Sequence, residues 1–241
     1  MGTHKEILKK YWGFEEFRPV QEDIIKDIIS GKDVFAMLPT GGGKSLCYQL
    51  PGIIREGLTI VVSPLISLMQ DQIKQLNDRD IKAKAIISGM SYREIDITLD
   101  NVRFGKYDFL YVSPERLLTK LFLERFKLMD VGLLVVDEAH CISQWGHDFR
   151  PAYKEISKLR ELKPQLPIAA FTATANEFTK SDIIEQLKLD NYVVHEASFA
   201  RINLAYRIFR SQAKNSRIIE FCASLKNSCG IVYCQTRKSV K

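Results

Sequence analysis

Four consecutive apolar residues, Leu133, Leu134, Val135 and Val136, run straight into two adjacent carboxylates, Asp137 and Glu138. A short apolar run of this kind reads as a buried strand. A strand end that presents acidic groups to solvent is where an open α/β sheet places its chemistry. The same texture recurs along the chain, and residues 34–37, 58–63, 83–87, 109–112, 133–137, 168–172 and 192–195 all read as short buried strands. Between them, residues 65–77, 92–104, 153–162 and 178–187 repeat apolar side chains at spacings of three and four. Parallel strands need helical crossovers, so this alternation predicts an α/β three-layer domain, a mostly parallel sheet with helices on both faces.

The strand at 34–37 leads into Thr40, Gly41, Gly42, Gly43, Lys44 and Ser45. Three glycines let the backbone turn tightly and aim several N–H groups at a phosphate chain. A helix beginning near Ser45 would add its positive dipole end at the same point. Lys44 would reach the β- and γ-phosphates, and the Ser45 hydroxyl would bind Mg²⁺. The strict pattern wants a glycine where Leu38 stands, so only the Gly-Lys-Ser core matches it, and a plain Gly-rich turn with a surface lysine is the alternative. Asp137 would hold Mg²⁺ largely through water, since that ion keeps much of its hydration shell. Glu138 would orient the attacking water and accept its proton. Alone, an Asp-Glu pair after a strand is also just a solvated turn. The expectation is that folding draws Lys44, Asp137 and Glu138 around one triphosphate-sized pocket.

Close behind the carboxylates come Trp145, His147, Phe149 and Arg150, set among polar turn formers. Aromatic rings stack unpaired bases for about 1–3 kcal/mol each without sequence preference. Arg150 suits a phosphate or cation–π contact. Equally, Trp145 and Phe149 suit plugging the gap between the sheet and the following helix.

The chain has 241 residues, 46% of them apolar, which describes a globular protein of one large α/β domain or one and a half smaller ones. No apolar run approaches the ~18 residues of a membrane span. The start, MGTHKEILKK, lacks the apolar core of a signal peptide. Cys47, Cys141, Cys222, Cys229 and Cys234 form no CxxC pair and are odd in number, so neither a disulfide framework nor a four-thiolate zinc site is implied. The net charge of +6 belongs to the tail: residues 201–241 hold nine Lys or Arg against Glu220 alone, leaving 26 basic and 28 acidic side chains upstream. Local residues, not bulk charge, must therefore argue for nucleic acid. The pattern loosens near 198–207, and a helix (215–225) and a strand (230–234) follow. One helix and one strand cannot build a core. This predicts a first domain over 1–207 and the opening of a second over 208–241, with a final unit of the first sheet as the alternative.

Taken together, these stretches resemble the N-terminal part of a DNA helicase of the RecQ family, and the likeness runs through positions 8–240. Leu8, Trp12, Gly13, Phe17, Arg18 and Gln21 fit that family's nucleotide-base motif, with Trp12 where phenylalanine is usual. TGGGKS (40–45) and DEAH (137–140) fit its phosphate and magnesium motifs. SPLISLMQDQ (63–72), YVSPERL (111–117), FTATA (171–175) and GIVYCQTRKS (230–239) fit the motifs that follow. The resemblance implies a RecA-like P-loop NTPase domain that binds ATP and Mg²⁺, with Arg18 and Gln21 on the adenine and Phe14 stacked on it. On residue chemistry alone, Phe14 and Phe17 suit a core.

The resemblance further implies that Thr172 and Thr174 couple nucleotide state to DNA grip. It implies that Ser63, Pro64, Gln70 and 113–116 border the strand's path, although these residues also read as helix caps. The activity implied is 3′–5′ translocation and unwinding of DNA, on single-stranded and partly duplex substrates. Such a protein would be cytoplasmic, on the nucleoid or in the nucleus, and without membrane partners. Zinc is expected only in a further C-terminal part, and the arginine that a second motor domain supplies to the γ-phosphate has no counterpart here. This fragment is therefore expected to bind ATP and DNA weakly and to unwind nothing. The remaining alternatives are an RNA-directed DEAH-type helicase and a nucleotide-gated binding module.

Overall fold

The computed structural model describes residues 4–144, 148–198, 204–210, 212–225, 229–234 and 236. Its strands are β1 (Val34–Met37), β2 (Leu58–Val62), β3 (Ala83–Ile86), β4 (Phe109–Val112), β5 (Val131–Val136), β6 (Ile168–Thr172) and β7 (Val193–Glu196). The helices are α1 (His4–Trp12), α2 (Gln21–Ile29), α3 (Lys44–Ile54), α4 (Ile66–Asn77), α5 (Tyr92–Phe104), α6 (Lys120–Leu128), α7 (Ser157–Leu162), α8 (Glu177–Gln186) and α9 (Lys214–Ser224). The seven strands form one sheet in the order β3-β4-β2-β5-β6-β1-β7, and every pairing is parallel.

Alternate residues of each central strand enter opposite cores, as the two-residue period of a strand requires. Leu134 and Val136 of β5 pack with Leu99, Phe122, Phe126 and Leu159 of α5, α6 and α7 on one face. Leu133 and Val135 pack with Ile24, Tyr48 and Met69 of α2, α3 and α4 on the other. Buried on both faces, such strands cannot alternate with polar residues, which is why they read as unbroken apolar runs. Because the strands are parallel, their C-terminal ends share one edge of the sheet, and that edge carries Ser113, Ser63, Asp137, Thr172 and the loop after β1.

Some expectations are corrected. Residues 153–162 are not one helix: a 3-10 segment, Pro151–Ile156, precedes α7. Pro151 opens that tight turn, and Tyr153 is drawn inward, its hydroxyl donating to the Asp137 carbonyl at 3.1 Å. Helices α1, α2 and α6 were not read from sequence as elements. Chain packing divides at 199/200 into two compact units. In the second, α9 forms, and Ile218, Ile219, Phe221 and Leu225 are exposed. No strand forms among the described residues of 230–234.

Candidate nucleotide site and nucleic-acid face

The loop between β1 and α3 is shaped by its glycines. Gly43 caps α3 at φ 82, a left-handed conformation that disfavours any side chain. A Cβ there would overlap the Gln21 side-chain amide, and one on Gly42 would come within 2.8 Å of the Pro39 carbonyl. The N-cap Gly43 has no side chain to cap α3, whose first helical residue is Lys44. A helix N-terminus is a favourable place for an anion.

The carboxylates meet this loop at the end of β5. Asp137 is 3% exposed, and its Oδ1 accepts the Glu138 amide at 3.0 Å. Burial pushes its carboxyl up to about 6, the neighbouring Glu138 charge adds to this, and Lys44 opposes it. Glu138 itself turns the chain with φ 48, an uncommon conformation for a residue with a side chain. Its Oε1 lies 3.8 Å from Lys44 Nζ and its Oε2 lies 3.3 Å from His140 Nδ1. His140 and, beyond the cost of burial, Lys44 hold the Glu138 carboxyl below its ordinary value. His140 is in turn pushed up to about 9 by hydrogen bonding to Cys141 and Glu138. Lys44, Asp137 and Glu138 therefore converge, and His140, quoted in sequence only as part of a motif, joins them.

The base-motif residues sit on the other side of the loop. Phe14 is 54% exposed, open to a stacking partner. Arg18 donates to the Gly41 carbonyl. Gln21 is 2% exposed, accepts the Arg18 amide at 3.0 Å and donates to the Gly42 carbonyl at 3.0 Å. In this arrangement both side chains grip the loop backbone, so their polar atoms shape the phosphate loop directly. Val20, the β-branched residue just before Gln21, is held at φ 72, a second strained position beside the site. Thr40 precedes the glycines, and Ser45 follows Lys44 in the first turn of α3.

Trp145 and His147 lie outside the described residues. Phe149 is half-buried, with Lys154 Nζ 5.3 Å from its ring centre. Arg150 donates to the Pro64 carbonyl at 3.3 Å and stands 4.0 Å from Glu115, so it touches the turns after both β2 and β4. The adjacent Ser63 and Ser113 are buried, and their hydroxyls have no hydrogen-bond partner among the described residues. Gln70, expected at this face, is exposed. Two residues later, Gln72 is instead buried, bonded to Tyr48 and to Ser45. No sequence signal set Gln72 apart from the other polar residues of α4.

Residues 18–181 match the DEAD/DEAH box helicase family. The chain is 45% identical, over all of its length and 49% of the relative's, to the probable ATP-dependent DNA helicase RecS of Bacillus subtilis (strain 168). It is 40% identical, over 99% of its length and 38% of the relative's, to the ATP-dependent DNA helicase RecQ of Pasteurella multocida (strain Pm70). The crystal structure of the DUF1998 helicase MrfA shares the fold, with a TM-score of 0.72 at 21% identity over 98% of this chain and 39% of that one. The chain thus spans about half the length, or less, of these curated relatives. With the match covering both the Lys44 loop and the Asp137-Glu138 strand end, the chain belongs to the DEAD/DEAH box helicase family.

Proposed function

We propose that this chain is the ATP-binding motor domain of an ATP-driven DNA helicase that moves 3′ to 5′ along one strand. The observation carrying this reading is the approach of Lys44 to Glu138 at 3.8 Å beside the buried Asp137. Among the described residues no group of three or more His, Cys, Asp or Glu side chains could hold a metal alone. That suits Mg²⁺, which takes one or two protein oxygens and completes its shell from phosphate and water. Ser45 and Asp137 would hold it, and bound there it would neutralise charge developing on the phosphates.

The chain's own groups do the rest. Lys44 and the α3 amides bind the phosphates, and Phe14 stacks on the base while Arg18 and Gln21 set the loop beneath it. Glu138 orients water and takes its proton, and the Lys44 and His140 contacts keep its carboxylate ionised for that role. Arg150 and the Ser63 and Ser113 turns position a DNA backbone without reading its sequence. Trp145 and Phe149 stack bases, and their closeness in sequence to Glu138 couples strand binding to hydrolysis. The 3′–5′ polarity rests on the family resemblance alone.

The test is ATP hydrolysis by the protein with single-stranded DNA, single-stranded RNA or neither. Stimulation by DNA that disappears in Trp145→Ala, with nucleotide affinity unchanged, is expected. Preferential stimulation by RNA, or DNA stimulation untouched by the substitution, contradicts the reading.

A further inference from the structure

Beneath the phosphate loop lies a buried polar cluster that the nucleotide site does not itself require. Tyr48 of α3 is fully buried, its ring packed edge-on against Phe171 with centroids 5.4 Å apart. Its hydroxyl donates to Gln72 Oε1 at 2.7 Å, and Gln72 Nε2 donates to Ser45 Oγ at 3.2 Å. Ser45 and Tyr48, both on α3, are thus joined through the one Gln72 amide. Nearby, the Tyr111 hydroxyl of β4 accepts from Gln49 Nε2 at 3.1 Å. Gln72 is 7% exposed, so a neutral amide has been carried into an apolar layer where an unmade hydrogen bond costs about 1–3 kcal/mol.

This chain of side chains restricts what Ser45 can do. A hydroxyl has one proton and two lone pairs. Gln72, itself held by Tyr48, engages one lone pair and so limits the directions open to the other. We propose that Gln72, acting with Tyr48, is a positioning residue that orients the Ser45 hydroxyl as a ligand for a divalent cation, and through α4 ties that orientation to the Ser63-Pro64 turn on the nucleic-acid face. This rests on the reading of Ser45 as a Mg²⁺ ligand. Removing an outer partner of a metal ligand typically weakens metal affinity by about 10–100-fold while leaving the other ligands in place.

The probe is a fluorescent ADP derivative, titrated into the whole chain with Mg²⁺ and again with EDTA. The quantity read is the gain in affinity that Mg²⁺ confers. Gln72→Met keeps length and apolar packing, and Tyr48→Phe keeps the ring against Phe171. Each is expected to reduce the Mg²⁺ gain by about tenfold or more, with affinity in EDTA unchanged within about twofold. The double variant is expected to lose little beyond either single one, since both break the same Tyr48–Gln72–Ser45 chain. If Ser45→Ala abolishes the gain while Gln72→Met and Tyr48→Phe retain it, the cluster is only packing and the proposal is overturned. If Ser45→Ala leaves the gain intact, the assignment of Ser45 fails and the proposal falls with it. A fall in EDTA affinity equal to the fall in Mg²⁺ also overturns it, because general loosening of α3 would do that. Should Gln72→Met not fold, Tyr48→Phe decides the outcome alone.

Discussion

His140 Nδ1 stands 3.1 Å from the Thr172 hydroxyl, joining the turn after β5 to the end of β6. Thr172 is fully buried, and its Oγ1 in turn contacts the carbonyl and amide of Thr174 at 3.1 and 3.2 Å. The carboxylate of Glu138 is thereby linked through one imidazole to the segment leading into α8.

That link has a pH signature. The His140 value of about 9 lies above its ordinary 6.5, so its contribution to stability is complete below about pH 6.5 and is lost as the pH rises through 9. His140→Gln is expected to cost about 1–2 kcal/mol at pH 6 and close to nothing at pH 9.5. Urea midpoints at the two pH values check this, and an equal loss at both would contradict it.

Asp137 works in the opposite sense from most structural carboxylates. Its value is raised to about 6 by burial, so folding favours the protonated form. The contribution is complete below the ordinary carboxylate value and is lost as the pH rises through 6. Asp137→Asn is therefore expected to raise stability at pH 7.5 by about 1–2 kcal/mol while abolishing the Mg²⁺-dependent part of nucleotide binding. A thermal melt and a nucleotide titration on the same sample check both halves, and a lowered melting temperature would refute the first.

Asp33 anchors the opposite edge of the sheet. It is 3% exposed and accepts both Arg160 Nη atoms at 2.6 Å, the Ile168 amide at 2.8 Å and the Asp190 amide at 2.7 Å. Asp33→Ala strands a guanidinium and two amides at once, for an expected loss of about 3–5 kcal/mol. Nucleotide affinity of the folded fraction should not change. Chemical denaturation with a parallel binding isotherm tests this, and a loss below about 1 kcal/mol would show the cluster to be dispensable.

Gly43→Ala places a Cβ on a left-handed residue and into the Gln21 amide. We expect about 1–2 kcal/mol of destabilisation and at least a tenfold loss of nucleotide affinity, because the loop must shift away from Gln21. Isothermal titration of the variant with ADP tests this, and wild-type affinity would mean that the loop geometry is not what binds phosphate.

Much of this architecture could be read along the chain. The strands at 34–37, 109–112 and 168–172 and the helix at 92–104 form with the expected bounds, because each is an uninterrupted apolar or amphipathic run between clear breakers. The loop glycines and the Asp137-Glu138 pair could be read for the same reason, since their chemistry is local. Long-range geometry could not. Nothing in the sequence says that Gln72 rather than Gln70 turns inward, since both lie on one polar-rich helix and only the position of Tyr48 decides between them. The sequence suits Arg150 to a phosphate or cation–π contact but does not say that the fold brings it to the Pro64 carbonyl. The break at 151–156 depends on Tyr153 reaching the Asp137 carbonyl, a contact between two elements that no local period encodes.

The convergence of Lys44 on the Asp137-Glu138 strand end is tested most directly by Mg²⁺-ATP binding to the 241-residue chain and to its Lys44→Ala variant. A charged hydrogen bond to phosphate is worth about 1.5–3 kcal/mol, so the variant should bind about tenfold or more weakly with its fold intact. Equal affinity in the two proteins would mean that the nucleotide, if it binds at all, does so elsewhere.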